Sequence, residues 1–122
     1  MNKQPNLCQY VFLPKKPRMS KGKIASQVTK VAYLTAKKMQ EYTPNEHLWI
    51  HECGMMTVVL QVKNQVALHN VKQYLTQEGI YYESYNDEGY TEVPAGTMTC
   101  IATVIIDREK DGWRFEKYKL FK

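Results

Sequence analysis

Apolar residues along this chain recur with two different periods, and the places where the period changes mark its elements. Residues 8–13 (CQYVFL) form an apolar, aromatic and β-branched run closed by Pro14, which cannot donate to a ladder, so the run predicts a buried strand that stops there. PKKPRMSKGK follows, with two prolines, a glycine and a cluster of basic residues, and reads as a loop into a helix start near Ser20. From there Ile24, Val28, Val31, Ala32, Thr35 and Met39 recur at helical spacing while Lys30, Lys37 and Lys38 fall elsewhere on the turn. This predicts an amphipathic helix of about five turns. Thr43-Pro44 sets a cap before proline at a first helical position and predicts a short second helix through Leu48, Trp49 and Ile50 to Gly54.

Thr57–Val62 (TVVLQV) is a second strand, and Asn64 caps a third helix with Ala67, Leu68, Val71, Tyr74 and Leu75 on its apolar face. Gly79 ends that helix as a left-handed residue. Residues 80–85 (IYYESY) and 97–106 (TMTCIATVII) read as third and fourth strands around the polar loop NDEGYTEVPAG. The tail DREKDGWRFEKYKLFK fits a short helix or an edge strand equally well. The chain therefore reads as one α/β domain over residues 1–122, in the order β-α-α-β-α-β-β, with extensions at 1–7 and 107–122 and no internal repeat.

Strands joined by crossover helices run parallel with right-handed connections. If the first and third strands are parallel, their C-terminal ends open on one edge of the sheet, where open α/β sheets bind ligands. A fourth strand returning antiparallel starts at that same edge. Lys21, Lys23, Asp87, Thr91 and Thr99, spread over most of the chain, are then expected to converge.

Composition narrows the class. A chain of 122 residues with 43% hydrophobic and 24% charged residues fits one globular domain and excludes a fibrous or disordered one. Three widely spaced cysteines, Cys8, Cys53 and Cys100, match neither a disulfide framework nor paired metal knuckles, so a cytoplasmic setting is expected. No apolar run approaches the roughly 20 residues that span a bilayer, and the first residues lack a signal-peptide core, so no membrane association is expected. Charge is uneven: residues 1–40 hold nine Lys or Arg and no Asp or Glu, whereas the other 82 hold eight basic and twelve acidic residues. That asymmetry favours a polyanionic partner through counterion release, with a merely solvated basic helix face as the alternative.

Candidate chemistry gathers in two segments. MSKGKIASQ puts Lys23 and Gln27 four residues apart on one helix face. A lysine at a helix N-terminus opposes the macrodipole, which points to an external anion, or else to a solvated lysine beside a surface glutamine. Asp87, in the turn-rich loop, suits orienting water or taking a proton, although an Asx turn is the commoner fate of such an aspartate. His47, His51 and Cys53 in HLWIHEC have an i, i+4 histidine pair but no acid after the first histidine and no fourth ligand at a standard offset, so no metal is expected. His69 reads as a surface residue. No GxSxG, P-loop or GxGxxG occurs, and no cofactor is expected. Tyr81, Tyr82, Tyr85 and Tyr90 either stack on bases or cover a sheet face.

MSKGKIASQ followed by DEGYTEVPAGTMT resembles the archaeal and eukaryotic type of peptidyl-tRNA hydrolase, whose members show a KGKxAxQ helix start and a DAGxTxxxPGTxT loop. The similarity runs from about Gln9 to Ile106 and includes Trp49 and Cys53-Gly54. It implies a mixed four-stranded sheet with helices on both faces, and hydrolysis of the ester that joins a peptide to the 3′ end of tRNA, which recycles the tRNA. It implies Lys23, Gln27, Asp87, Thr91 and Thr99 as the functional positions, and family members are often homodimers. The basic residues Lys15, Lys16, Arg18, Lys21 and Lys30 are then expected to hold the tRNA. The chain departs from the family pattern at Leu13-Pro14-Lys15, at Lys30 in place of histidine, at Glu88 in place of alanine and at Ile105-Ile106 in place of glycine-proline. Lys30 and Glu88 motivate a second reading, a catalytically inactive RNA-binding or protein-interaction module.

Overall fold

The computed structural model describes residues 6–42 (backbone alone at 39–42), 46–89 and 93–122. All eight residues of β1 (Leu7–Pro14) are buried, so this strand needs a neighbour on each side and a layer on each face. On one side it pairs in parallel with β2 (Thr57–Val62), on the other antiparallel with β4 (Met98–Thr103). Outside β4 lies β3 (Tyr82–Asn86), antiparallel to it and hence running with β1. The expected convergence of strand ends is thereby realised.

Alternation along β1 divides the core. Val11 and Leu13 face a cluster with Val31, Met19, Cys100 and Ala102 under α1 (Lys21–Tyr42). Tyr10 and Phe12 face Leu60, Leu68, Val71 and Leu75, the last three from α3 (Gln65–Gln77). Burying each of those α3 side chains is worth roughly 1.5–3 kcal/mol. Between α1 and β2, α2 (Glu46–His51) buries Trp49 beside Leu7 and Ile105, and the Trp49 indole donates to the Met56 carbonyl at 2.9 Å. The proposed cap at Thr43-Pro44 lies outside the described residues, as does the side chain of Met39.

Both ends of α3 follow the expected chemistry. The Asn64 side chain accepts from the Ala67 N–H at 3.0 Å. At the other end Gly79, at φ 69°, donates to the Thr76 carbonyl and Ile80 to the Leu75 carbonyl, the paired bonds of a Schellman motif. Ile80 is consumed by that motif, so β3 begins at Tyr82 rather than at residue 80.

The sheet is larger than the four strands expected. Residues 97–106 are not one strand: β4 ends at Thr103 and the chain resumes pairing with β1 as β5 (Ile106–Asp107). Three residues, 103–105, stand opposite Gln9 and Tyr10 of β1, so the register advances by one in a bulge. Two partners fill the gap this leaves. The Gln9 amide donates to the Thr103 carbonyl at 3.1 Å, and the Tyr10 N–H donates to the Thr103 hydroxyl at 3.2 Å. The tail adopts both of its candidate forms: α4 (Arg108–Asp111), a 3-10 turn at Gly112–Phe115, and an edge strand β6 (Lys119–Leu120) antiparallel to β2. Phe115 packs on Tyr10 with ring centroids 4.3 Å apart, and Arg114 reaches the Tyr74 hydroxyl at 2.9 Å and the Glu78 carboxylate. The tail is thus fastened to α3 and β1.

Thr103→Val leaves the buried Tyr10 N–H without its acceptor and is expected to cost about 1–3 kcal/mol in urea unfolding, whereas Thr103→Ser keeps the bond and stays near wild type.

Candidate active site

The first turn of α1 is set by Ser20, whose hydroxyl accepts from the Lys23 N–H at 3.2 Å and whose carbonyl accepts from the Ile24 N–H at 2.9 Å. Two side chains one turn apart then reach from α1 to β4 and to the loop that follows β3. Lys23 donates to Asp87 Oδ2, an ion pair in which the lysine is 9% and the aspartate 5% exposed. Gln27, fully buried, accepts from the Thr99 hydroxyl at 2.6 Å.

Asp87 forms the Asx turn and pairs with Lys23 at the same time. Its Oδ1 accepts from the Gly89 N–H at 2.7 Å, an Asx turn, while Oδ2 holds Lys23. Its backbone closes the base of the loop: Asp87 N–H donates to the Thr97 carbonyl and Gly96 N–H to the Asp87 carbonyl, each at 2.7 Å. Gly89 sits at φ 84°, and a Cβ there would lie 2.7 Å from the Ala95 nitrogen, so this turn admits only glycine. The Lys23 hydrogen bond, then the Gly89 N–H, hold the Asp87 carboxyl below the usual carboxylate range, with the Lys30 charge adding to the effect.

Thr99 owes its direction to a second bulge. Tyr85 pairs with Cys100 and Asn86 with Met98, which leaves Thr99 as an extra residue in β4. Its hydroxyl meets Gln27, and the neighbouring Cys100 thiol donates to the Gln27 carbonyl at 3.2 Å. Burial pushes the Cys100 thiol up to about 12, which keeps it protonated and rules it out as a nucleophile at neutral pH. The Gln27 amide nitrogen is buried with no hydrogen-bond partner among the described residues. Gln27 and Thr99 are both 0% exposed.

The remaining candidates divide. Thr91 and Tyr90 lie outside the described residues. Lys30 is exposed, with its ammonium 5.0 Å from the centroid of the Tyr85 ring. Tyr82 and Tyr85 cover opposite faces of the sheet, each half-buried against one core cluster. Lys16 and Arg18 are exposed on the loop into α1 and Lys21 is exposed at its first residue, while Lys15 donates to the Lys122 carbonyl and lies over the Phe121 ring. His47, His51 and His69 are exposed. Cys100, supporting Gln27 from beside Thr99, carried no sequence signal, because only the bulge brings both neighbours against α1.

Comparison with known proteins places this arrangement. The family model described as Peptidyl-tRNA hydrolase PTH2 matches residues 7–120. A peptidyl-tRNA hydrolase of Thermococcus onnurineus is 37% identical over 95 residues, covering 77% of this chain and 80% of the relative. One of Thermoplasma volcanium is 39% identical over 84 residues, covering 68% and 71%. One of Thermoplasma acidophilum is 32% identical over 102 residues, covering 84% and 87%.

The depressed Asp87 pKa fixes the sign of an acid effect. Because the folded value lies below the unfolded value of about 3.8, the pair's contribution is complete above that pH and is lost as pH falls through the folded value. The stability advantage of wild type over Asp87→Asn at neutral pH is therefore expected to shrink below about pH 4. Urea midpoints of the two proteins measured down to about pH 2 check this, and a constant gap contradicts it.

Proposed function

The chain belongs to the Peptidyl-tRNA hydrolase PTH2 family, and from that premise we propose how its residues hydrolyse the ester between a peptide and the 3′ end of tRNA. The observation that carries the reading is the Lys23–Asp87 ion pair, nearly buried, at the sheet edge from which the basic loop 15–21 departs. A carboxylate with a depressed pKa is a poor proton acceptor, so Asp87 serves to orient the attacking water and the Lys23 ammonium rather than to keep a proton. The water oxygen bonds to the carbonyl carbon while charge gathers on the carbonyl oxygen, where Lys23 stabilises it. The bond to the ribose oxygen then breaks, and a proton from the water ends on that departing oxygen to leave the tRNA hydroxyl.

Gln27 and Thr99 are positioning residues in this scheme, tying α1 to β4 beside the ion pair. Thr91 retains a place in it through the family motif alone. Lys15, Lys16, Arg18, Lys21 and Lys30 hold the tRNA through its phosphates, which positions the ester without reading sequence. The inactive alternative finds no support, since the two replacements that motivated it leave the pair intact. Glu88 is exposed, and Lys30 adds its charge to the field that keeps Asp87 ionised. A cytoplasmic homodimer completes the proposal, the dimer supported by the family resemblance and the compartment by the odd number and wide spacing of Cys8, Cys53 and Cys100.

Single-turnover cleavage of an N-blocked aminoacyl-tRNA tests the roles. Lys23→Ala is expected to lose on the order of 100- to 1000-fold in rate, the cost of removing one oxyanion donor. Asp87→Asn is expected to abolish measurable cleavage while tRNA binding persists. A wild-type rate in either variant refutes the assigned roles, and binding without cleavage by the wild type itself refutes the hydrolase reading.

A further inference from the structure

The tail carries a charge cluster to which the sequence reading assigned no role. Because β1 and β2 are parallel, their exits are adjacent: Pro14 pairs with Val62, and the Lys15 N–H donates to the Val62 carbonyl at 2.8 Å. Lys15 and Lys16 therefore leave the sheet beside Lys63. The antiparallel β6 begins at this same edge, with Lys119 opposite Gln61. The result is a groove of about 350 Å³ whose lining includes Lys15, Lys16, Lys63, Lys117 and Lys119. All five lysines are exposed; Lys15 donates to the Lys122 main-chain oxygen, and among the described residues Lys16, Lys63, Lys117 and Lys119 form no ion pair with a carboxylate.

A second groove of about 370 Å³ shares Lys15 and continues with Arg18, Lys21 and Lys122. Lys21 opens the helix whose first turn carries Lys23, so a basic band leads from the start of that helix across the loop to the tail. The band is firmly held. Arg114 binds Tyr74 and Glu78 of α3, and the Phe121 N–H donates to the Val59 carbonyl at 2.9 Å. Such a line of cations, most of them without a counter-carboxylate among the described residues, suits an elongated polyanion better than one phosphate, because each phosphate neutralised along it releases counterions.

We propose that the tRNA backbone runs from the ester site past Lys21 and Arg18 onto Lys15, Lys16, Lys63, Lys117 and Lys119, so that the C-terminal strand is part of the tRNA-binding surface. This deepens the hydrolase reading and rests on it for the identity of the RNA. The shared grooves also set an order: the loop lysines lie nearer the ester, and the tail lysines meet phosphates further along the RNA.

The test compares wild type, the triple variant Lys63→Ala/Lys117→Ala/Lys119→Ala and the control Lys110→Ala in binding deacylated tRNA between about 50 and 200 mM salt. The triple variant is expected to show a slope of log affinity against log salt shallower by about 2–3, at roughly 0.7–0.9 per lost contact, while the control keeps the wild-type slope. KM for full-length N-blocked aminoacyl-tRNA rises in the triple variant with kcat unchanged. Cleavage of the same ester on the terminal trinucleotide alone is unaffected. A wild-type slope and KM in the triple variant overturns the proposal and assigns the lysines to a partner other than RNA; equal impairment on the trinucleotide overturns it too. If the wild type cleaves nothing yet the slope still falls in the variant, the surface stands and the hydrolase reading fails.

Discussion

A strand buried along its whole length constrains every element that follows it. Leu7–Pro14 exposes no residue, so both faces must be roofed and both edges paired before its backbone polar groups and its Val, Leu, Tyr and Phe side chains are satisfied. Parallel β2 and antiparallel β4 occupy the edges, while α1 and α3 take the faces. Proline at the end of β1 then sends the chain out at the edge where β2 also ends and β4 begins. A site at that edge follows from the packing of a strand whose own residues take no part in the chemistry.

The two links from α1 to the sheet differ in kind. Gln27 and Thr99 form a neutral hydrogen bond in a fully buried place and hold the helix at a set height over β4. Lys23 and Asp87, one turn nearer the helix start, form a charged pair at the rim of the same packing. A charge pair next to solvent is easily rearranged by water and salt. Here the Gly89 N–H, the tight turn against Ala95 and the dry rung behind it restrain the carboxylate. Reactive geometry is therefore supported from the interior outward.

Periodicity made much of this legible. The alternation in TVVLQV, the i, i+3, i+4 spacing in α1 and α3, and the caps at Ser20, Asn64 and Gly79 correspond to real elements. The rule that crossovers make parallel strands was enough to bring Lys23 and Asp87 to one edge. The bulges were not legible. TMTCIATVII is a continuous β-prone run with no glycine or proline to break it, and what interrupts it is the side chain of Gln9, 94 residues away in sequence from its partner Thr103. The displacement of Thr99 likewise has no local signature. The tail mixes a helix, a 3-10 turn and a strand within fifteen residues, too short for any period to emerge, and the averaged charge of residues 41–122 concealed Lys117, Lys119 and Lys122.

The partners at the site are far apart along the chain: 64 residues separate Lys23 from Asp87, and 72 separate Gln27 from Thr99. During its own synthesis this protein is a peptide esterified to tRNA, the class of molecule it hydrolyses. A nascent chain that has emerged as far as the end of α1 displays the lysine and glutamine without the aspartate or threonine. On the proposed roles, long-range closure delays the appearance of activity until β4 has left the ribosome, and the edge strand β6 must follow before the tail lysines join the proposed RNA surface. The protein is itself made as the class of molecule it hydrolyses, and its topology keeps the two halves of the site apart until the strand that carries Thr99 has been translated.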